Sequence, residues 1–466
     1  MMRYISTRGE APPLGFEDTM LTGLARDGGL YVPETVPAMS AADIAALAGL
    51  PYEEVAVRVM HPFVAEAFDE ATFAGMVARA YADWGHAARA PLVQIGPGHH
   101  LLELFHGPTL AFKDFAMQLI GQMFEHTLRR RGERVAIVGA TSGDTGSAAI
   151  EAFRGLDAVD VFILYPHGRV SEVQRRQMTT PAEPNVHTLA IDGHFDDAQA
   201  RVKDMFNDFA FRDRVRLAGV NSINLARVLA QVVYYFTAAT ALGAPHRTVS
   251  FTVPTGNFGD VFAGHLARRM GLPIERLVVA TNRNDILHRC LTTGSYRTGE
   301  VHPTISPSMD IQVSSNFERA LHGALGGEGG AVAQLMADLR TGGFTVPQGA
   351  LEALREEYAS GTASEAETGD AIRRTLERTG ELLCPHSAVG VHVAERHLGA
   401  APMVTLATAH PAKFPDAVEA ATGIRPPLPP RMADLMDRPE RITRVPNDLR
   451  AIERVIEDRV SDAIPA

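Results

Sequence analysis

The spacing of apolar residues changes once along the chain. In the first part, the segments 41–50, 52–64 and 69–84 carry apolar residues at steps of three and four between Pro and Gly breakers, which is typical of amphipathic helices. Further on, short and mostly apolar runs, such as RVAIVGA at 134–140 and TVSFTVP at 248–254, alternate with helical segments. Buried strands that alternate with helices predict an α/β fold with a largely parallel sheet.

The same pattern indicates how the chain is divided. Residues 1–95 are expected to form a mainly helical N-terminal unit, followed by the alternating strands and helices. Residues 295–320 and 360–370 show no clear period and are expected to be irregular. The stretch DLRAIERVIEDRV at 448–460 predicts a terminal helix.

Composition and charge narrow the class of protein. The 466 residues are 45% hydrophobic and 21% charged, as in an ordinary globular protein, and the net charge of −11 argues against general binding to nucleic acid or to anionic membranes. No apolar run is long enough to span a bilayer, and the N-terminus lacks the apolar core of a secretory signal. The two cysteines, Cys290 and Cys384, form neither a disulfide framework nor a zinc pattern. We therefore expect a cytoplasmic protein.

A single lysine in an apolar setting is the first candidate for chemistry. In FHGPTLAFKDFAMQ, Lys113 lies between two phenylalanines, and helical spacing follows it up to Gly132. Asp114 is expected to be the N-cap of that helix. Desolvation and the positive end of a helix both lower the pKa of a lysine, and such lysines form Schiff bases with carbonyl compounds. A snorkelling lysine, or one paired with Asp114, is the alternative.

Two glycine-rich loops each lie between a predicted strand and a predicted helix. The first, GATSGDTGSAA at 139–149, offers N–H groups, hydroxyls and a helix N-terminus to a small anion such as a carboxylate, and it lacks the ending of a P-loop. The second, PTGNFGD at 254–260, allows several N–H groups to converge on a phosphate. A plain strand–helix turn is the alternative for each loop.

Two further stretches carry polar groups. Thr408, in LATAHPAKF, is expected at the C-terminal edge of a strand, where ligands bind in open α/β sheets. In NSINLAR, the residues Asn221, Ser222 and Arg227 can hold a second phosphate or a carboxylate, although an ordinary helix start is the alternative.

One nucleophilic lysine and two anion cradles fit one cofactor, pyridoxal phosphate (PLP). Its aldehyde would react with Lys113 and its phosphate would occupy one loop, while an amino-acid substrate would place its carboxylate in the other. PLP is an electron sink for carbanions alpha to an amine. A nucleotide-binding or regulatory protein without catalysis is the competing class; Lys113 and the missing Walker lysine argue against it.

Together, these motifs resemble those of threonine synthases. The stretches occur in the family's order as far as Phe414: HGPTLAFKDFAMQ, TSGDTG, NSINLAR, PTGNFGD, PTISPSMDIQVSSNFER and ATAHPAKF, with a similar opening MRYISTRG. The resemblance implies fold type II of the PLP enzymes, which is tryptophan-synthase-β-like. It also implies an N-terminal mainly helical domain at 1–95, a small α/β domain at 96–235 and a large α/β domain at 236–466.

The resemblance implies a role for each motif. Lys113 is then the lysine that binds PLP, and Thr408 carries the hydroxyl that faces the pyridine nitrogen. The cofactor phosphate is expected on the loop of Gly256, Asn257, Phe258, Gly259 and Asp260. The substrate carboxylate is expected on the loop of Thr141, Ser142, Gly143, Asp144 and Thr145. The substrate phosphate is expected at Asn221, Ser222 and Arg227. Cys384 replaces an acidic residue more usual in the family, so that position has no expected role.

The implied reaction converts O-phospho-L-homoserine and water to L-threonine and phosphate, the last step of threonine biosynthesis, by β,γ-elimination and water addition. Lys113 would act as the base at Cα, and Arg227 would hold the departing phosphate. Another fold type II lyase, such as a serine/threonine dehydratase or an amino-acid phospholyase, is the alternative. We expect a monomer or a homodimer.

Other polar clusters are given structural interpretations. His194, Asp196 and Asp197 resemble metal ligands but are expected to cap the following helix, so no metal site is predicted. The pair His99–His100 is expected at the surface.

Overall fold

A computed structural model describes residues 2–460, apart from the side chain of Asp196. Its strands are β1 (Tyr4–Ser6), β2 (Tyr31–Pro33), β3 (Leu92–Gly96), β4 (His99–Glu103), β5 (Val135–Ala140), β6 (Val159–Pro166), β7 (Val186–Ile191), β8 (Leu217–Ala218), β9 (Val249–Pro254), β10 (Ile274–Thr281), β11 (Ser295–Tyr296), β12 (Phe344–Thr345), β13 (Tyr358–Thr362), β14 (Met403–Ala407) and β15 (Thr443–Val445). Its helices are α1 (Phe16–Thr22), α2 (Ala41–Ala45), α3 (Tyr52–Val64), α4 (Glu70–Ala80), α5 (Lys113–Arg131), α6 (Asp144–Phe153), α7 (Glu172–Thr179), α8 (Phe195–Asn207), α9 (Phe209–Val215), α10 (Leu225–Ala241), α11 (Gly259–Arg269), α12 (Ile286–Thr293), α13 (Phe317–Ala324), α14 (Gly329–Arg340), α15 (Gln348–Glu357), α16 (Glu365–Thr379), α17 (Pro385–Ala394), α18 (Pro415–Thr422) and α19 (Leu449–Glu457).

Two parallel sheets form the centre of the fold. One has the order β15-β7-β6-β5-β8 and is parallel throughout. The other has the order β13-β10-β9-β14-β4-β3 and is parallel except for β3, which is antiparallel at its edge. Every residue of β6 and β9 is buried, which explains their unbroken apolar runs. The predicted α/β class is confirmed.

Several strand pairings cross the predicted domain boundaries. In the six-stranded sheet, β4 pairs with β14, although β4 falls in the segment 96–235. In the five-stranded sheet, β15 pairs with β7, although β15 falls in 236–466. Each sheet therefore combines strands from distant parts of the chain.

The N-terminal unit contains the predicted helices and a short pair of strands, β1 and β2. Helix α3 packs on α10 and α4 packs on α5, so this unit shares one apolar core with the two sheets. None of the helices in the described part of the chain is long and apolar enough to cross a membrane.

Some local predictions were wrong. Residues 360–370 are regular: β13 ends at Thr362, and α16 begins after a capping box of Ser364 and Glu367. His99 is not at the surface, because β4 buries it with its ring nitrogen 2.8 Å from the Thr405 hydroxyl.

The segment that contains His194 caps a helix, as predicted, as far as the structure describes it. The His194 amide donates to the Asp197 carboxylate at 2.7 Å, which caps α8, whereas the Asp196 side chain lies outside the described residues. No group of three or more His, Cys, Asp or Glu side chains within the described residues is placed to hold a metal ion.

Arg319 ties the N-terminal unit to the rest of the molecule. Its guanidinium is fully buried and donates to the carbonyl oxygens of Tyr31 at 2.9 Å and Ile223 at 2.6 Å, and it also contacts the side-chain oxygen of Asn316. Burial lowers the pKa of Arg319 to about 9.

We expect Arg319→Met to lower the free energy of unfolding by about 3 kcal/mol, because three buried acceptors lose a charged donor. Urea denaturation measures the loss. Arg340→Met, at the exposed end of α14, is the control and should change stability by less than about 0.5 kcal/mol. Equal stabilities of the two variants would contradict the role of Arg319.

Candidate active site

A cavity of about 610 Å³ opens at the carboxyl ends of the parallel strands. It is lined by the loops that follow β5, β9 and β14, by the starts of α5 and α10, and by one face of α8. Ligands bind at this edge in open α/β sheets, and here two sheets contribute to one cavity. All the predicted site residues except Gly143 line it.

Lys113 is the first residue of α5 and is held by a backbone pairing. The amide of Phe112 donates to the Thr408 carbonyl at 2.9 Å, and the amide of His410 donates to the Leu110 carbonyl at 3.0 Å. This pairing fixes Lys113 beside the end of β14. Burial lowers the pKa of Lys113, as predicted, and the charges of Arg227 and Lys413 lower it further, whereas Asp144 opposes the shift.

Asp114 is not the N-cap of α5. The helix begins at Lys113, and the buried Asp114 carboxylate instead accepts hydrogen bonds from the Thr109 amide at 2.8 Å and the Thr109 hydroxyl at 2.6 Å. The carboxylate therefore fixes the turn that precedes Lys113. Burial raises the pKa of Asp114 to about 6.

Asp144, in the first glycine-rich loop, is the centre of a buried charge network. Its carboxylate lies 2.8 Å from the Lys413 ammonium and 3.6 Å from that of Lys113, and it accepts a hydrogen bond from Gln174 at 2.9 Å. Burial alone would raise the pKa of Asp144, but Lys413 and Lys113 hold it well below its usual range. Lys413 has no exposed surface and also donates to the Thr109 carbonyl at 2.7 Å.

The remainder of this loop presents amides. The Thr141 hydroxyl accepts from the amides of Gly143 and Gly146, both at 2.9 Å. The amides of Asp144 and Thr145 belong to the first turn of α6, where helices lack internal partners for N–H groups. Gly143 has a φ of +136° and a Cβ there would meet the Gln174 side chain, so the turn requires glycine.

The second loop, between β9 and α11, forms a tight cradle. Phe258 has a left-handed φ of 62° at the start of α11, and a Cβ on Gly256 would lie 2.7 Å from the Ser308 carbonyl oxygen. The Asn257 carbonyl accepts from the amide and the side chain of Asn316. The cradle is therefore fixed from outside by the segment 308–316 and presents a helix N-terminus to an anion.

Asp260 lies in the first turn of α11, but its carboxylate is not available to bind an anion. One oxygen accepts from the hydroxyls of Tyr234 at 2.5 Å and Tyr235 at 3.1 Å, whereas the other is buried without a partner among the described residues. Burial raises the pKa of Asp260 to about 6. Only its backbone amide is suited to a phosphate.

Arg227 is a buried cation with spare hydrogen-bonding capacity. It lies in the first turn of α10 and is 3% exposed; Nη1 donates to the Val220 carbonyl at 3.2 Å, and Nε has no partner among the described residues. One turn later, the side-chain oxygen of Gln231 is also buried without a described partner. Burial lowers the pKa of Arg227 to about 10, which leaves it charged at neutral pH. Asn221 and Ser222 line the same part of the cavity wall.

Thr408 lies just beyond β14, where it was expected. Its amide donates to the Ser387 hydroxyl at 3.2 Å, and that hydroxyl lies 3.1 Å from the Cys384 sulfur. Cys384 caps α17 and does not line the cavity, so its role is structural.

Sequence reasoning missed two residues of the site, His386 and Lys413. His386 lines the cavity; its Nε2 accepts from the Ser308 amide at 3.1 Å, while Nδ1 is buried without a described partner. Burial lowers the pKa of His386 to about 4, so it is neutral at pH 7. The strings PHSAVG and HPAKF contain both residues, but only the fold brings them to Asp144.

These groups fit one cofactor. Lys113 is a buried amine of lowered pKa, and the cradle at Gly256 presents the N-terminus of α11, which suits an anion. Three family models match the chain: pyridoxal-phosphate dependent enzyme over residues 90–409, threonine synthase N terminus over 3–81 and threonine synthase C-terminal over 387–456. The chain is therefore a PLP-dependent enzyme.

Full-length relatives narrow this class. The threonine synthase of Pseudomonas aeruginosa is 54% identical over 98% of both chains. The X-ray structure of PLP-bound threonine synthase from Brucella melitensis superposes with a TM-score of 0.96 at 56% identity, covering 99% of this chain and 100% of that one. The yeast threonine synthase structure has a TM-score of 0.93 at 38% identity, with 99% of each chain covered. The chain belongs to the threonine synthase family and has its fold type II architecture.

Exchanging Gly256 for Ala should weaken PLP binding about 10- to 100-fold, because the new Cβ displaces an amide cradle worth one charged hydrogen bond or more. Titration of the apoenzyme with PLP, followed by absorbance, measures the affinity. Gly349→Ala, in α15, is the control, since its Cβ meets nothing within 4 Å. An unchanged affinity in Gly256→Ala would show that the loop does not hold the phosphate.

Lys413→Met and Asp144→Asn should each destabilise the holoenzyme by about 3 kcal/mol, because each leaves a buried charge without its partner. The double variant should lose clearly less than the sum of the two. Urea denaturation of all four proteins gives the coupling. Additive losses, within about 0.5 kcal/mol, would contradict the ion pair.

Proposed function

We propose that this protein is a threonine synthase that converts O-phospho-L-homoserine and water to L-threonine and phosphate. One observation carries the proposal. The cavity that holds Lys113 and the Gly256 cradle also holds Arg227, a buried cation whose Nε lacks a partner among the described residues. A PLP enzyme whose substrate has no phosphate needs a phosphate site for the cofactor but does not need a second one at Arg227. This argues against a plain serine/threonine dehydratase.

PLP, when bound, supplies an electron sink for a carbanion alpha to the substrate's amine. Lys113 binds the cofactor and takes the proton from Cα of the substrate. Its lowered pKa keeps a share of the amine neutral, which a base requires. The Thr408 hydroxyl would be the partner of the pyridine nitrogen. The amides of Gly256 to Asp260, at the start of α11, would hold the cofactor phosphate.

The substrate carboxylate is proposed to bind the loop Thr141–Thr145. The Asp144 side chain is unsuited to this task, because it is anionic and already paired with Lys413. The substrate carboxylate is instead proposed to accept hydrogen bonds from the amides of Asp144 and Thr145 and from the hydroxyls of Ser142 and Thr145. The network around Asp144 thus fixes this loop relative to Lys113.

The substrate phosphate is proposed to bind Asn221, Ser222 and Arg227. Negative charge develops on this group when it departs from Cγ, and a buried arginine stabilises that charge strongly. Water then adds at Cβ, so the site must exclude water until phosphate has left. We expect the five-stranded sheet to move and close the cavity during the earlier steps.

The reaction is proposed to take place in the cytosol. Cys290 and Cys384 are both buried and unpaired, which suits a reducing compartment. The protein is proposed to act as a monomer or a homodimer.

The proposal is tested by incubating the purified holoenzyme with O-phospho-L-homoserine and measuring phosphate and L-threonine together. We expect equal amounts of both. Phosphate accompanied by a keto acid would identify a phospholyase instead. If neither phosphate nor L-threonine is formed, the proposed substrate is refuted.

Lys113→Ala should abolish threonine formation, because it removes both the cofactor attachment and the base at Cα. Circular dichroism and thermal melting check that the variant is folded. Threonine formation at the rate of the unchanged enzyme would overturn the role of Lys113.

A further inference from the structure

Lysine is rare in this chain and is concentrated at one place. Of the 44 lysines and arginines, only three are lysines: Lys113, Lys203 and Lys413. Lys113 and Lys203 line the cavity, and the ammonium of Lys413 lies 2.8 Å from Asp144 in its wall. Elsewhere the chain uses arginine as its cation. All three lysines of the chain therefore lie in or beside this one cavity.

Two of these lysines already have a task, whereas Lys203 has none. It lies on α8, which stands on β5 and β6 of the five-stranded sheet. One face of α8, with Ala198, Val202 and Met205, is buried in the core of that sheet. The adjoining face turns Gln199, Lys203 and Asn207, which are four residues apart, toward the cavity, and Val202 at its border also lines the cavity.

Lys203 is also free to bind an anion. Its side chain is exposed, and no ion pair joins it to a side chain that the structure describes. Its neighbour Arg201, by contrast, pairs with Asp204 at 3.2 Å and does not line the cavity. The charge of Lys203 is thus presented to the cavity rather than neutralised on the helix.

The charge of the proposed substrate phosphate requires a second cation in addition to Arg227. A phosphate monoester carries close to two negative charges at pH 7. The described cations that line the cavity are Lys113, Lys203 and Arg227. Lys113 is engaged by the cofactor, and Arg227 supplies one charge. The cofactor phosphate has its own cradle of amides, and the substrate carboxylate has the first loop.

Resting on the proposed function, we infer that Lys203 is the second cation that binds the substrate phosphate and stabilises it as it departs from Cγ. Lys203 reaches that phosphate from α8, whereas Arg227 reaches it from α10. A lysine suits this role because its ammonium rotates freely and releases the product phosphate more readily than a bidentate guanidinium.

Lys203→Met should lower kcat/KM for O-phospho-L-homoserine about 10- to 100-fold, the value of one charged hydrogen bond. It should weaken competitive inhibition by inorganic phosphate by a similar factor and leave inhibition by L-threonine, which lacks a phosphate, unchanged. Lys203→Arg should recover most of the activity. Arg201→Met, which removes a cation from the same helix outside the cavity, should leave all three constants unchanged.

The outcomes separate this inference from the proposed function. If the unchanged enzyme releases no threonine, the proposed function fails. If the unchanged enzyme is active but Lys203→Met retains full kcat/KM and full phosphate inhibition, only the role of Lys203 is refuted. Equal weakening of phosphate and threonine inhibition would assign Lys203 a structural role and would also refute the inference.

Discussion

The ion pair between Asp144 and Lys413 is the interaction on which the rest of the site depends. Asp144 begins the helix that follows β5 of the five-stranded sheet, and Lys413 follows β14 of the six-stranded sheet. The pair therefore joins the two sheets at the floor of the cavity. Lys413 also donates to the Thr109 carbonyl, in the turn that leads into Lys113. Two buried charges are costly unless they are paired, so each partner fixes the position of the other.

The position of Lys113 follows from this network. Asp144 lies 3.6 Å from its ammonium, and Asp114 holds the preceding turn through Thr109. The amine is thus kept buried, with a lowered pKa, yet close to a carboxylate that orients it. A buried lysine without such a neighbour would be free to choose among several rotamers. The amine of Lys113 is positioned by charges, whereas the two glycine-rich loops are positioned by backbone geometry.

Short sequence patterns predicted those parts of the candidate site that lie next to a strand or a helix in sequence. Lys113, the two glycine-rich loops and Thr408 all follow or precede strands and helices with clear periods, and the structure brings them to one cavity. Asp114 was misassigned because a carboxylate at a helix start can accept either from the helix amides or from the preceding turn, and here it accepts from the Thr109 amide and hydroxyl. Lys413 and His386 were missed because their partners are distant in sequence. The strand pairings of β4 and β15 were unpredictable for the same reason.

We propose that Lys113 alone, among the three lysines of the chain, binds the cofactor. Reduction of the PLP-loaded enzyme with borohydride fixes the cofactor to its lysine, and mass spectrometry of the peptides then identifies that residue without ambiguity. We expect the modified peptide to contain Lys113, and we expect Lys203 and Lys413 to be unmodified. A pyridoxyl group on Lys413 or Lys203 would contradict it.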